Sequence, residues 1–171
     1  MMKYPIGIQS FDKVIKEGYV YVDKTDLIYS LVKEGTIYFL SRPRRFGKSL
    51  LVSTLENYFL GRKELFKGLK IDGLEKEWLE YPVFHVDFNG IDFTQVGKLE
   101  EVIDFKLTLW EEKYGIVPDK SLDRGLRFIR VLHESCEQTG RRCVVLVDEY
   151  DKPILDVLGM SGNEDGESLE S

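Results

Sequence analysis

The stretch Thr36-Ile37-Tyr38-Phe39-Leu40-Ser41-Arg42-Pro43-Arg44-Arg45-Phe46-Gly47-Lys48-Ser49 places an apolar, β-rich segment directly before a Gly-Lys-Ser tripeptide. Farther along the chain, Val144-Val145-Leu146-Val147 ends in Asp148-Glu149. A buried strand that leads into Gly-Lys-Ser is typical of proteins that bind a nucleoside triphosphate. An apolar strand that ends in Asp-Glu is typical of sites that hold magnesium and activate water. Together the two segments predict a P-loop NTPase, whereas either one alone is a weak signal.

The first of these segments, the phosphate-binding half of the predicted site, fits the pattern G-x-x-x-x-G-K-[ST] except at its first position, where Arg42 replaces glycine. We predict that backbone N–H groups at the start of the next helix surround the phosphates, assisted by the helix dipole. Lys48 would neutralise the β- and γ-phosphates and Ser49 would give its hydroxyl to Mg²⁺. A chance tripeptide at a helix start is the alternative. The predicted nucleotide contacts are Arg44, Arg45, Phe46, Gly47, Lys48, Ser49 and Leu50.

The acidic half follows the last predicted strand, at the edge of the sheet where open α/β folds bind ligands. Asp148 would hold Mg²⁺ together with Ser49. Glu149 has the position of a base that polarises the attacking water, so Glu149 and Lys48 are the predicted catalytic residues. Asp151 is either a further acidic contact or a turn residue that caps the next helix.

Three other features have more than one interpretation. Residues 19–25 (Tyr-Val-Tyr-Val-Asp-Lys-Thr) are unusual for a plain loop and are a candidate lining for an adenine pocket. Asp87 could approach the nucleotide or cap the loop that follows it. Cys136 and Cys143 lie at the end of a predicted helix and the start of a strand, without CxxC or His/Cys spacing, so a zinc site is not expected.

Helical and strand patterns alternate along the chain, which predicts an α/β fold with a mostly parallel sheet. We expect a P-loop NTPase-type three-layer sandwich that is incomplete in this chain. The predicted strands are 36–40, 83–88 and 143–147. The main predicted helices begin after Ser10, near Thr25, at Lys48, at Gln95 and near Leu122. Residues 159–171 are polar and lack apolar periodicity, so we expect a disordered tail.

The chain has 171 residues with 43% hydrophobic and 32% charged residues, enough for one globular domain with a core. Its net charge of -6 argues against nucleic-acid binding through the overall field. Two cysteines fit a reducing compartment. Neither a signal peptide nor an apolar run of membrane length is apparent, so we expect a cytoplasmic protein without a membrane partner.

Five sequence segments occur in the order typical of one family. The segments are Tyr4-Pro5-Ile6-Gly7, Phe11, Tyr21-Val22-Asp23-Lys24-Thr25, residues 41–50 (SRPRRFGKSL) and Val147-Asp148-Glu149-Tyr150-Asp151-Lys152-Pro153. With these segments the chain resembles the AAA-ATPase-like proteins of bacteria and archaea, in which an ATPase region is followed by a PD-(D/E)XK nuclease-like domain. The resemblance covers residues 1–158 and implies that ATP and Mg²⁺ are the cofactors and that Arg42 is the usual residue at its position.

The resemblance also implies that this chain lacks one strand of the ATPase sheet. In such ATPases a further strand, later in sequence, lies between the P-loop strand and the acidic strand. Without it, two strand edges stay unpaired and invite association, so a homo-oligomer or a C-terminal nuclease-like domain is an expected partner besides the nucleotide.

Three functions are therefore open. The first is ATP binding with Mg²⁺-dependent hydrolysis, and the second is a nucleotide-sensing regulatory module without effective turnover. A small-molecule kinase ranks last because no arginine-bearing lid segment is apparent. The sequence contains no motif that decides between ATP and GTP.

Overall fold

The computed structural model of the chain describes residues 3–41, 46–119 and 121–164, with side chains described as far as residue 159. Within these residues the fold is α/β: helices predominate and two strands form a small parallel sheet. The chain divides into two compact units, Met1–Val83 and Phe84–Ser171. Each unit has its own hydrophobic core.

The first unit is helical. Ser10 caps the first helix by accepting a hydrogen bond from the Lys13 N–H, as the sequence predicted. The segment after Gly61 forms a 3₁₀ helix and one short α-helix. The helices of this unit are α1 (Phe11–Lys16), α2 (Thr25–Glu34), α3 (Lys48–Phe59), the 3₁₀ helix (Lys63–Phe66) and α4 (Lys70–Leu74).

The core of the first unit is aromatic. The rings of Phe11 and Phe66, both fully buried, lie 4.8 Å apart between their centroids. Tyr58 on α3 and Trp78 pack against Phe66. The N–H of Phe11 donates to Ser53 Oγ on α3 across 2.9 Å, which fixes α1 against α3. This packing holds α3, the helix that begins within the Gly-Lys-Ser segment.

The second unit contains the sheet. Strands β1 and β2 run parallel, and the Phe88 N–H donates to the Asp148 carbonyl at their carboxyl ends. Asp123 caps one helix at its start and Gly140, in a left-handed conformation, ends it. The elements are β1 (Val83–Asp87), which begins at the last residue of the first unit, α5 (Lys98–Lys113), α6 (Arg124–Thr139), β2 (Val144–Asp148) and α7 (Lys152–Glu164).

Phe84 and Val131, both fully buried, form the centre of the second core. The Trp110 ring meets Phe84 edge-on at 5.2 Å and packs against this core. A second cluster around Phe88 and Phe93 lies near the end of β1. The two clusters share Trp110 and so join α5 to the strand.

The prediction of a strand at residues 36–40 was wrong. These residues adopt no regular secondary structure, and Ile37 and Phe39 are 92% and 72% exposed. The Tyr38 hydroxyl donates to the Leu31 carbonyl at the end of α2. A strand needs a neighbouring strand to satisfy its backbone groups, and in the described part of the chain the sheet consists of two other segments, 83–87 and 144–148. An apolar composition alone therefore does not make it a strand.

The second difference concerns β2, which forms as predicted but is not covered on both faces. Val145 and Val147 are 44% and 47% exposed, whereas β1 buries Phe84 and Val86. Buried parallel strands are covered on both sides by helices. The described sheet therefore has two strands and one open face, and the predicted third strand is not part of it.

The last helix extends beyond the predicted ordered region. Helix α7 continues through Gly159 to Glu164, so residues 159–164 of the predicted polar tail are helical, while residues 165–171 lie outside the described part. No helix within the described residues combines the length and apolar character needed to cross a bilayer.

Candidate nucleotide-binding site

Gly47 begins the phosphate-binding half of the candidate site. It lies at the N-cap of α3 with φ 75° and ψ 22°, a left-handed conformation. Side chains strongly disfavour this region because their Cβ approaches the following carbonyl. A Cβ built on Gly47 would meet no atom within 4 Å, so backbone conformation and not space requires glycine here. The sequence motif identifies Gly47 but does not reveal this backbone conformation.

Lys48 and Ser49 are the first two residues of α3, and both are partly buried. The helix has no acidic residue in its first turn and, among the described residues, no side chain that caps its N-terminus. The first N–H groups of a helix lack intrahelical partners and carry the positive end of its dipole. This helix start is therefore chemically suited to an anion such as a phosphate.

Leu50, the third residue of α3, anchors the start of the helix. Its side chain packs against the aromatic core of the first unit, and its carbonyl accepts a hydrogen bond from the Thr54 hydroxyl at 2.7 Å. Of the other predicted contacts, Phe46 is 63% exposed. Arg44 and Arg45, like Arg42, lie outside the described residues.

Asp148 is the last residue of β2 and is only 5% exposed. Its Oδ1 accepts the Glu149 N–H across 3.0 Å. A buried carboxylate at the carboxyl end of a parallel strand matches the predicted position of the magnesium ligand. No cluster of three or more His, Cys, Asp or Glu side chains suited to a metal occurs in the described chain. A Mg²⁺ site does not need such a cluster, because Mg²⁺ keeps several waters and uses substrate phosphates.

Glu149 has a left-handed backbone with φ 52°, a conformation that costs free energy for a residue with a side chain. Its carbonyl accepts the Lys152 N–H across 3.0 Å at the start of α7. The chain therefore turns sharply between β2 and α7 at this residue. Strained backbone concentrates at functional sites, and no feature of the sequence had signalled it here.

Asp151 lies one residue before α7, and its carbonyl accepts the N–H groups of Ile154 and Leu155. This is the position of a helix N-cap, as the second interpretation of Asp151 required. In the same helix, Lys152 Nζ contacts Asp156 Oδ2 at 2.7 Å, and Asp156 accepts the Phe93 N–H. These contacts hold the start of α7 beside the loop after β1.

Asp87 and Asp23, which belong to segments considered for nucleotide contact, have hydrogen-bond partners within the chain. Asp87 Oδ1 accepts the Asn89 N–H across 2.8 Å, as a cap of the following turn. Asp23 accepts hydrogen bonds from the N–H and hydroxyl of Thr25 and from the N–H of Lys70. Thr25 Oγ1 in turn accepts the Ile71 N–H at 3.1 Å. The Asp23 and Thr25 side chains thus join α2 to α4.

An open cleft of about 550 Å³ lies in the second unit, between the loop at residues 90–94 and the helix α7. Its polar lining includes Lys152 and Asp156, which pair with each other. None of the predicted site residues lines it. The described site residues predicted from the sequence lie at the start of α3 in the first unit and at the end of β2 in the second.

A family model described as "Predicted AAA-ATPase" matches residues 5–168. The chain belongs to this family. The match includes both the start of α3 and the end of β2, and it extends past Leu158, where the resemblance in the sequence had ended.

A curated relative from Azotobacter chroococcum mcd 1, named "Uncharacterized protein in vnfD 5'region", is 46% identical over 158 residues. The alignment covers 91% of this chain and 30% of the relative. The chain thus spans less than a third of the length of this relative. No solved structure matches the chain significantly.

Proposed function

We propose that this chain binds ATP and hydrolyses it with Mg²⁺. The observation that carries the proposal is membership of the AAA-ATPase-like family across both candidate half-sites, residues 5–168. The left-handed Gly47 and the uncapped start of α3 supply the local geometry that a phosphate-binding turn needs. ATP is proposed over GTP on the family description alone.

On the phosphate side, the N–H groups at the start of α3 would bind the triphosphate, with Arg44, Arg45, Phe46 and Leu50 as further contacts from the predicted loop. Lys48 would neutralise charge on the β- and γ-phosphates, and the Ser49 hydroxyl would be a Mg²⁺ ligand. Positioning and charge stabilisation provide most of the catalysis in phosphoryl transfer. Lys48 therefore has a catalytic as well as a binding role in this proposal.

On the acidic side, Asp148 would bind Mg²⁺ either directly or through the waters that the ion coordinates. Glu149 would orient and polarise the attacking water. The buried carboxylate of Asp148 and the sharp turn at Glu149 support these roles.

A three-layer P-loop sandwich belongs to the same proposal, and in it the open face of β2 with Val145 and Val147 would be covered. Homo-oligomerisation and a C-terminal nuclease-like domain in the whole protein are proposed from the resemblance, because the chain spans 30% of its relative. Sedimentation analysis of the whole protein would test the first of these.

The alternative is a nucleotide-sensing module without effective turnover. It is favoured by the irregular, exposed segment at Ile37 and Phe39, because a P-loop that is not anchored in a sheet positions a triphosphate less rigidly. Binding of Mg-ATP without phosphate release by the purified chain would select this alternative over the ATPase.

Lys48→Ala tests both functions. Loss of a charge-assisted phosphate contact costs about 1.5–3 kcal/mol, which corresponds to a roughly 10- to 100-fold weaker affinity for Mg-ATP by calorimetry. Lys67→Ala is the matched control, because Lys67 is an exposed lysine outside the motif in the same unit. Unchanged affinity in Lys48→Ala, with the fold intact by circular dichroism, would exclude nucleotide binding through this motif.

A further inference from the structure

Cys136 and Cys143 lie side by side in the second unit. Cys136 is in the last turn of α6, and Cys143 immediately precedes β2. Both are free thiols and partly buried, and their sulfur atoms are 2.9 Å apart. Seven positions in sequence separate them, and the turn at Gly140 brings them together.

The Cys143 sulfur is held in this position by two other contacts. It donates to the Leu132 carbonyl at 3.2 Å and lies 3.2 Å from Ser135 Oγ, both on α6. Ser135 is fully buried and also donates to Leu132, so this side of the helix is tightly packed. Cys143 is thereby held against α6, with its sulfur beside that of Cys136.

We infer that Cys136 and Cys143 are a redox-sensitive thiol pair that peroxide converts to an intramolecular disulfide. A disulfide has an S–S length of about 2.05 Å, so closure of the 2.9 Å separation needs a movement of only about 0.9 Å between the two sulfur atoms. The bond would tie the end of α6 to the start of β2. This inference is independent of the proposed ATPase function.

The chemistry proceeds in two balanced steps. The Cys136 sulfur attacks hydrogen peroxide, the O–O bond breaks, and a sulfenic acid and one water form. The Cys143 sulfur then attacks the sulfenic sulfur, and the S–S bond forms as the hydroxyl leaves with the Cys143 proton as a second water. The two thiols are oxidised and the peroxide is reduced. A thiol reductant reverses the reaction.

The order of the steps follows from the surroundings of Cys143. Burial, together with the adjacent Cys136 thiol, raises the pKa of Cys143 to about 11. The thiolate is the nucleophile, so Cys143 is a poor first nucleophile at neutral pH. It is suited to the second step, because its sulfur already contacts Cys136.

Peptide mapping of the purified chain after hydrogen peroxide treatment tests the inference directly. Trypsin cleaves after Arg141 and Arg142, between the cysteines, and yields peptides 131–141 and 143–171 because Lys152 precedes proline. We expect these peptides to be joined in a monomeric chain that has lost two hydrogens, and to separate after dithiothreitol. Unlinked peptides with free thiols or sulfinic acids, or disulfides between two chains, would overturn the inference.

Single variants test the order of attack. In Cys143→Ser we expect Cys136 to react with a sulfenic-acid probe such as dimedone. In Cys136→Ser we expect Cys143 to be oxidised at least roughly tenfold more slowly than Cys136 in the other variant, because few Cys143 thiolates are present. Equal or reversed rates would overturn the assignment of Cys136 as the first nucleophile. The mapping of the unmodified chain does not depend on either variant.

Discussion

The backbone N–H of Glu149 donates to the side chain of Asp148 across 3.0 Å, at the point where β2 ends. The same turn gives Glu149 a left-handed backbone with φ 52°. Among the described residues only Trp78 shares this property without being glycine. The two adjacent acidic residues therefore lie in different environments. Asp148 is buried and oriented by a hydrogen bond, and Glu149 is part of a strained turn.

Glu149→Gln and Glu149→Gly separate the side chain from the backbone strain. Both variants remove the proposed base, so we expect nucleotide binding to be retained and phosphate release to be lost. Glycine adopts φ 52° without a Cβ penalty, so Glu149→Gly should also be more stable by up to about 1 kcal/mol. The measurements are phosphate release, calorimetric affinity and urea unfolding. Full turnover in Glu149→Gln would refute the role of Glu149.

Gly47→Ala and Gly73→Ala are matched substitutions in the first unit. At both positions a Cβ would meet no atom within 4 Å, but only Gly47 has positive φ. Alanine at Gly47 should therefore lower the free energy of unfolding by about 1 kcal/mol or more. Alanine at Gly73, inside α4, should raise it by about 0.5–1 kcal/mol.

Tryptophan fluorescence followed through urea unfolding measures the free energy of unfolding of both glycine variants. The chain has two tryptophans, Trp78 in the first unit and Trp110 in the second. A Trp110→Phe background leaves Trp78 as the reporter of the unit that carries both glycines. Equal shifts in the same direction would mean that the left-handed conformation of Gly47 is not what the first unit requires.

The sequence predicts the elements that have local signals. Ser10 and Gly140 mark helix ends by their capping chemistry, and the strand before Asp148 is a β-branched run bounded by turn residues. The segment 36–40 has equally strong β composition but is irregular, because a strand also depends on a partner elsewhere in the chain.

Part of the candidate site could likewise not be predicted from the sequence. Gly47 and Lys48 could be found by their motif, and Asp148 by its position after a strand. The φ of Glu149 had no signal, because left-handed conformations are predictable mainly at Gly and Asn. The bonds that Asp23 forms with Thr25 and Lys70 depend on a tertiary contact with α4, which composition does not reveal.

Glu75 makes the first unit sensitive to acid. This carboxylate is 5% exposed and accepts hydrogen bonds from the Tyr58 hydroxyl at 2.5 Å and from Lys33 Nζ, with which it pairs at 3.2 Å. Burial alone would raise its pKa. Hydrogen bonds from Tyr58, the Glu77 N–H and Lys33 outweigh burial and lower the pKa from 4.5 to about 2. The charged form is therefore stabilised in the folded state.

A lowered folded-state pKa contributes stability that is complete above the unfolded pKa and is lost as the pH falls toward the folded pKa. We expect the difference in free energy of unfolding between the unmodified chain and Glu75→Gln to be up to about 3 kcal/mol near neutral pH. It should shrink as the pH falls from about 5 to about 2. Glu77→Gln, at an exposed position two residues away, should change stability by less than about 0.5 kcal/mol. A pH-independent difference would contradict the lowered pKa.

Glu111 and Arg127 form a buried ion pair between α5 and α6. Both Glu111 oxygens accept from the Arg127 guanidinium, at 2.9 and 2.7 Å, and the two side chains are 3% and 14% exposed. Asp104 is a second partner of Arg127. Removal of one partner from a buried pair leaves a charge without compensation and costs about 3–5 kcal/mol. Because Asp104 stays, we expect the lower end of this range for Glu111→Gln.

The matched control on the same helix is Glu101→Gln. Glu101 contacts Lys98 at 3.0 Å, but its side chain is 68% exposed. Exposed pairs contribute roughly 0–1 kcal/mol and weaken in salt, whereas buried pairs are screened much less. Urea unfolding followed by circular dichroism, at low and high salt, measures both variants. A cost for Glu111→Gln as small and as salt-dependent as that for Glu101→Gln would show that the α5–α6 pair is accessible to solvent and does not hold the two helices together.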